Sequence, residues 1–357
     1  MERYQDKLIT FLRGAPLKIH VVTMPDFFLD RIISLDCSPY VFSSTVAGIV
    51  KRKGGSVDGV SQMDLRGGNA VNVASALAAL GVDVTPIVCT SKHGLQLLRF
   101  YLGRHRLDLS RVKVLEHASV TTALELKDKS GKANVMFRDL GSLTDFNPTN
   151  LTDEDFGLIG SADYVCVFNW AGTKNYGTEL AKSVFLNVKK KGRGKTYFDT
   201  ADPTSNRERI PALIEGVLTT QLIDILSLNE NEAMTYASFL GGEVDVKRTG
   251  RRFDESALDS ARLLAKQLSA RIDLHTTKFS GTFTKKRETV VPAFKVRPTR
   301  ATGAGDAWDA GNILGDAAGL SVECRLMLAN AVAACYISST DGSHPNRERL
   351  LRFLEKT

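Results

Sequence analysis

The sequence predicts a three-layer α/β protein, with a mostly parallel central sheet between helices and a small β-sheet lid. Three observations carry that prediction. From 164 to 276, short β-branched and apolar runs alternate with helical runs, the pattern that right-handed βαβ crossovers and a parallel sheet require. Two separated stretches, 40–65 and 112–137, break it with strand-like alternation and glycine turns, and can pair into a second sheet. A glycine-rich turn, Thr299-Arg-Ala-Thr-Gly-Ala-Gly-Asp306, then opens two closing helical runs.

The elements follow in order. Residues 1–16 form a helical extension closed by Gly14 and Pro16, and 17–22 is a buried strand. The following segment, Met24-Pro-Asp-Phe-Phe-Leu-Asp30, carries two acids on an apolar background. An acid just beyond an inner parallel strand faces the crevice where such folds bind ligands, so Asp30 reads either as a partner for sugar hydroxyls or as a loop or capping acid. The stretch 40–65 is hairpin-like. Gly67-Gly68 then starts an Ala/Leu helix ending at Gly81, whose Asn69 and Asn72 either cap its start or reach a polar ligand. A strand at 82–89 and a helix near 95–102 precede the second hairpin, 112–137, which turns at 128–131.

Strands at 164–168, 196–199, 223–228 and 272–276 alternate with helices at 178–190, 209–218, 230–239 and 256–268. Hairpin-like strands at 283–296 and helices at 306–318 and 322–338 complete the chain. The body therefore comprises 17–39, 66–111 and 138–357, with the lid made of 40–65 and 112–137.

Composition narrows the function. With 43% hydrophobic and 24% charged residues over 357 positions, the chain is expected to be a soluble globular protein. A net charge of +7 suits a phosphate-bearing substrate; the basic runs 51–53, 189–191 and 285–287 lie among acids, which argues against nucleic acid. Five widely spaced cysteines without a C-x-x-C pair argue against a disulfide scaffold or a zinc cage and point to a reducing cytoplasm. No signal-like segment and no stretch of about 18 apolar residues is found, so no membrane association is expected. Walker A, Rossmann, H-E-x-x-H and G-x-S-x-G patterns are all absent, and the six histidines are isolated, reading as surface or core residues.

The chemistry gathers at strand ends and glycine turns. Gly303 and Gly305 bare the backbone at a helix start, where free N–H groups attract anions. Asp306 lies inside that positive end, either as a dipole partner or as a proton acceptor beside a transferring phosphoryl group. Asn229 and Glu232, three apart at a strand-to-helix turn, form either a capping box or a pair steering Mg²⁺ through water.

Together these motifs resemble the ribokinase-like sugar kinase family, also called the phosphofructokinase B type, over nearly the whole of 18–338. Thr302-Gly-Ala-Gly-Asp306-Ala-Trp-Asp-Ala-Gly311 is similar to its C-terminal signature, Gly67-Gly-Asn-Ala-Val-Asn-Val-Ala74 with Leu80-Gly81 to its N-terminal one, and Asn229-x-x-Glu232 to its metal-associated motif. The resemblance implies a ribokinase-like fold and a kinase that uses Mg²⁺ and ATP, or another nucleotide donor, on a sugar or nucleoside hydroxyl. Asp306 is then the catalytic base, with Gly303, Ala304 and Gly305 as the anion hole. Asp30, Gly67, Gly68, Asn69, Asn72 and Arg138 line the acceptor site. Asn229, Lys278, Gly281, Arg300 and Asn330 lie on the nucleotide side, and Glu232 holds the metal through water. In some members the lid is also a homodimer interface.

The chain departs from the family pattern at 88–94, at Arg300-Ala-Thr302, where an acid and two threonines are usual, and at Lys278, where glycine is usual. Arg300 and Lys278 read either as added phosphate-neutralising cations or as solvated loop cations. Arg138, Lys92 and His93 leave room for an acidic or phosphorylated acceptor. Asn69, where phosphosugar kinases of the family often carry lysine, favours an uncharged one.

Overall fold

The computed structural model describes residues 2–103, 107–128, 131–241, 253–299, 302–340 and 342–356. The chain opens with helix α1 (Glu2–Arg13) and strand β1 (His20–Met24), then runs through β2 (Phe28–Ser34), α2 (Pro39–Lys51) and β3 (Ser61–Gly67). Next come α3 (Asn69–Ala79), β4 (Asp83–Pro86), β5 (Cys89–Thr90), α4 (Lys92–Leu102) and β6 (Lys113–Val114). The antiparallel pair β7 (Ser119–Asp128) and β8 (Gly131–Asp139) follows, then α5 (Asp153–Ser161), β9 (Tyr164–Phe168), α6 (Gly177–Lys191) and β10 (Lys195–Asp199). Beyond lie α7 (Ile210–Leu213), β11 (Ile225–Asn229), α8 (Glu230–Phe239), α9 (Phe253–Gln267), β12 (Arg271–His275), β13 (Phe279–Phe283) and β14 (Glu288–Pro292). Helices α10 (Ala304–Ala317), α11 (Val322–Ile337) and α12 (Arg347–Leu354) close the fold.

Eight strands form the central sheet in the order β14-β13-β12-β11-β10-β9-β1-β4, parallel from β4 to β12 and antiparallel at β13 and β14. Its inner strands are largely apolar because both faces are covered, with buried polar exceptions such as Thr196, Ser227 and Asp273. In β9, Val165 and Val167 enter one hydrophobic cluster while Tyr164, Cys166 and Phe168 enter the other, the period-two alternation of a strand between two helical layers. No helix among the described residues is long and apolar enough to cross a membrane.

The small sheet has the order β3-β2-β7-β8, and here the expectation for 40–65 is corrected. That stretch holds one helix and one strand rather than a hairpin. Ser38 caps α2 through its hydroxyl, which accepts from the Val41 amide, and Pro39 occupies the first helical turn. These start signals outweigh the β-branched residues that follow. The small sheet instead recruits 28–34, so Asp30 sits on one of its strands and not just beyond an inner strand of the body. The run at 209–218 is likewise divided, with α7 passing into a π-helical turn at Ile214–Leu218.

Candidate active site

Gly303 starts α10 in the left-handed region at φ +79°, and a Cβ there would stand 3.0 Å from the Tyr336 hydroxyl. Helical bonding begins with the Ala307 amide donating to the Gly303 carbonyl, so the amides of Ala304, Gly305 and Asp306 are first-turn donors without helical acceptors. The helix is held tightly from behind. At Gly311 a Cβ would come within 2.7 Å of the Ala329 Cα on α11, so glycine lets the two helices meet at backbone distance.

Asp306, at the third position of α10, is 6% exposed. Its Oδ1 accepts from Asn69 Nδ2 and its Oδ2 from Asn72 Nδ2, both at 2.8 Å. The Asn72 carbonyl oxygen in turn accepts from Arg66 Nε at 3.2 Å, which orients the amide with its nitrogen toward Asp306. Burial, reinforced by the negative charges of Asp199 and Asp26, pushes the Asp306 carboxyl up to about 8, while the two asparagine donors pull the other way.

The asparagines are placed by an acid that sequence reasoning passed over. Asp26, fully buried, accepts the Asn69 and Ala70 amides at 2.9 Å each and Asn169 Nδ2 at 2.8 Å. It thereby caps α3 from another part of the chain and fixes its first turn against Asp306. Of the two acids in 24–33, Asp30 attracted attention because a carboxylate suits sugar hydroxyls; a buried capping acid leaves no pattern of its own. Gly68 permits the approach: at φ +92°, a Cβ would meet the Phe27 Cα at 2.8 Å.

Asp30, Thr121 and Arg138 are register partners across β2, β7 and β8, which puts them in one line on one sheet face. Gly67 makes room for the acid, since a Cβ there would lie 2.1 Å from Asp30 Oδ2. Burial raises the Asp30 carboxyl, against a hydrogen bond from Thr121 and the charge of Arg138. The Arg138 guanidinium stands 5.2 Å from the centre of the Phe28 ring. The sequence-expected acceptor residues thus come from both the small sheet and the start of α3.

Asn229 and Glu232 make a capping box at the start of α8: the Asn229 amide donates to Glu232 Oε2 at 2.8 Å and its Nδ2 to Oε1 at 2.7 Å. Burial and the charges of Asp199, Asp202 and Glu230 hold the Glu232 carboxyl well above its usual range. Asp199, His275 and Asp309 meet nearby, at the ends of β10 and β12 and on α10, with ligand atoms within 4.8 Å of one another. Their separation in the chain hid that cluster from sequence reasoning, and His275 read only as an isolated histidine.

The remaining expected nucleotide residues are placed as follows. Lys278 is exposed and pairs with Asp254 at 2.6 Å. Gly281 lies within β13, where a Cβ would meet the Phe283 ring at 2.7 Å. Asn330 accepts from Trp308 Nε1 at 2.9 Å and donates to the Pro292 carbonyl at 3.1 Å, tying α10 and α11 to β14. Arg300 lies outside the described residues.

A family model described as pfkB family carbohydrate kinase matches residues 42–349. No curated protein sequence matches the chain. Among solved structures, the fold is similar to the nucleoside kinase of Methanocaldococcus jannaschii, an archaeal ribokinase-family member, with TM-score 0.67 at 17% identity over 96% of this chain and 100% of that one. It is also similar to the adenosine kinase of Sinorhizobium meliloti, with TM-score 0.70 at 16% identity over 96% and 100% of the two chains. Arabidopsis thaliana ribokinase complexed with ribose and ATP gives 0.69 at 19% identity over 96% and 99%.

Proposed function

Because the chain belongs to the pfkB family of carbohydrate kinases, we propose that it moves the terminal phosphoryl group of ATP, or a similar nucleotide, to a hydroxyl of a sugar or nucleoside, with Asp306 as the base. The observation that carries this is the Asp306 carboxylate held by two asparagine amides at the amino end of a helix. A buried carboxylate raised to about 8 has the basicity to take a hydroxyl proton near neutral pH.

The acceptor lies between the lid line of Asp30 and Arg138 and the start of α3, with one hydroxyl toward Asp306. As the hydroxyl oxygen bonds to phosphorus, its proton passes to Asp306 and the bond from phosphorus to the nucleotide diphosphate breaks. Charge on the transferring group meets the first-turn amides of Ala304 and Gly305, which are already aligned and cost little to reorganise.

Burial and the charges of Asp199, Asp202 and Glu230 raise Glu232, and hard oxygen donors of this kind suit hydrated Mg²⁺. When bound, that ion neutralises donor phosphate charge. Arg138 in register with Thr121 and Asp30 supports a second reading, an acceptor that already carries an anionic group. Nucleotide consumption measured across sugars, nucleosides and sugar phosphates decides between them. Turnover with an uncharged member supports the first reading, turnover only with sugar phosphates supports the second, and no turnover with any acceptor contradicts both.

A further inference from the structure

His344, isolated in the sequence, lies in the link between α11 and α12, yet the fold carries it to the arginine that orients Asn72. It is buried, and its Nδ1 stands 3.1 Å from Arg66 Nη2 and 3.2 Å from Ser75 Oγ on α3. A guanidinium only donates, so His344 Nδ1 accepts from Arg66. One face of the imidazole stacks on the Tyr336 ring, with centres 4.5 Å apart and planes inclined by 22°. Tyr336 in turn backs the glycine turn at the start of α10, where a Cβ on Gly303 would meet its hydroxyl.

Arg66, at the end of β3, is thereby held at two points. Its Nε donates to Asn72 Oδ1 at 3.2 Å while its Nη2 donates to His344, and a planar guanidinium tied at two N–H groups keeps one orientation. With its oxygen taken by Arg66, Asn72 presents its nitrogen to Asp306 Oδ2 at 2.8 Å. We propose that His344 is a positioning residue for the base: by accepting from Arg66 it holds the Asn72 amide on Asp306. It touches neither acceptor nor nucleotide in this role and acts through two side chains. The proposal rests on the reading of Asp306 as the base, but its first consequence, the ease with which Asp306 ionises, exists without substrate. An N–H donor on a carboxylate favours the ionised form, so loosening Asn72 makes Asp306 harder to ionise. A His344 that only filled space against Tyr336 would leave Asp306 unchanged when another ring replaced it.

The test follows Asp306 in the full-length chain, free of nucleotide and acceptor, by carbon-13 NMR of protein labelled at its aspartate carboxyls. The Asp306 signal is the one missing from Asp306→Asn. His344→Phe keeps a ring on Tyr336 and removes the acceptor; its Asp306 titration should move to higher pH, lowering the ionised fraction at pH 7 about three-fold or more. His344→Asn sets a carbonyl oxygen in place of Nδ1 and should bring the titration back towards that of the wild type. Arg66→Met should move it in the same direction as His344→Phe, and the two together should move it no further than Arg66→Met alone, since both act through one chain of bonds. Circular dichroism confirms folding, and if His344→Phe fails to fold, Arg66→Met on the edge strand β3 carries the test. The proposal is overturned if folded His344→Phe or Arg66→Met titrates Asp306 as the wild type does. It is equally overturned if His344→Asn moves the titration as far as His344→Phe, the mark of lost packing rather than of a lost acceptor. On an acceptor that turns over, kcat/KM of His344→Phe at pH 7 should fall about three-fold or more and recover at higher pH. A wild type without turnover on any acceptor contradicts the kinase reading alone, and the NMR titration still decides the role of His344.

Discussion

Asp306 sets the behaviour expected with pH. Its carboxyl, raised to about 8 chiefly by burial, must be ionised to accept a proton, so activity should climb as pH rises through that value and level off above it. A pH profile of kcat/KM for the free enzyme, flat from 6 to 9, would contradict the assignment. Asn72→Ala removes one of the two donors that favour the ionised form, so the rise should move to higher pH and turnover at neutral pH should fall, about ten-fold or more. The glycine turn and helix start around Asp306 were legible in the sequence because they are local. Asp26, which fixes the first turn of α3 through Asn69 and Ala70, 43 and 44 residues away, was not, since two of its three partners are backbone amides that any sequence supplies.

Among elements, α10 carries the proposed base and is anchored by a buried ionic network. Burial alone would raise the Asp273 carboxyl, but Arg271 and Arg325 beside it hold it well below the usual range. Arg325, 2% exposed, donates to Asp273 Oδ2 at 2.9 Å and to Thr282 Oγ1 at 2.7 Å, and also reaches Asn312 on α10. Replacing Arg325 with Met leaves Asp273 buried with only part of its compensation, a loss of about 3–5 kcal/mol. Denaturant unfolding of that variant should show it; a change under about 1 kcal/mol would mean the network is not what secures the helix. The helices and strands of the body were legible from periodicity, as at α8, where the expected 230–239 and the observed Glu230–Phe239 coincide. The lid was less so. Its first stretch is rich in Val, Ser and Thr, yet Ser38 and Pro39 start a helix there, a local signal that a strand-like composition concealed.

At the scale of the whole molecule, the alternation in 164–276 was enough to place the layers, because a parallel sheet covered on both faces leaves few other arrangements. The composition of the small sheet was not legible, because it depends on parallel pairing of β2 with β7, some 90 residues apart. Asp30 on β2 lies against Gly67, just before α3, so acceptor binding as proposed should join the small sheet to the body. Hydrogen exchange at 28–34 and 119–128 should slow when acceptor and a non-hydrolysable nucleotide bind together, and unchanged exchange would remove the lid from the acceptor site.

The central claim is that a carboxylate held by Asn69 and Asn72 at the start of α10 takes the acceptor proton. Asp306→Asn keeps the shape and removes the base. Phosphoryl transfer by this variant, compared with wild type on the best acceptor from the panel, should fall by about 10²–10⁴-fold in kcat while acceptor affinity stays within a few-fold. Turnover within a few-fold of wild type would contradict it.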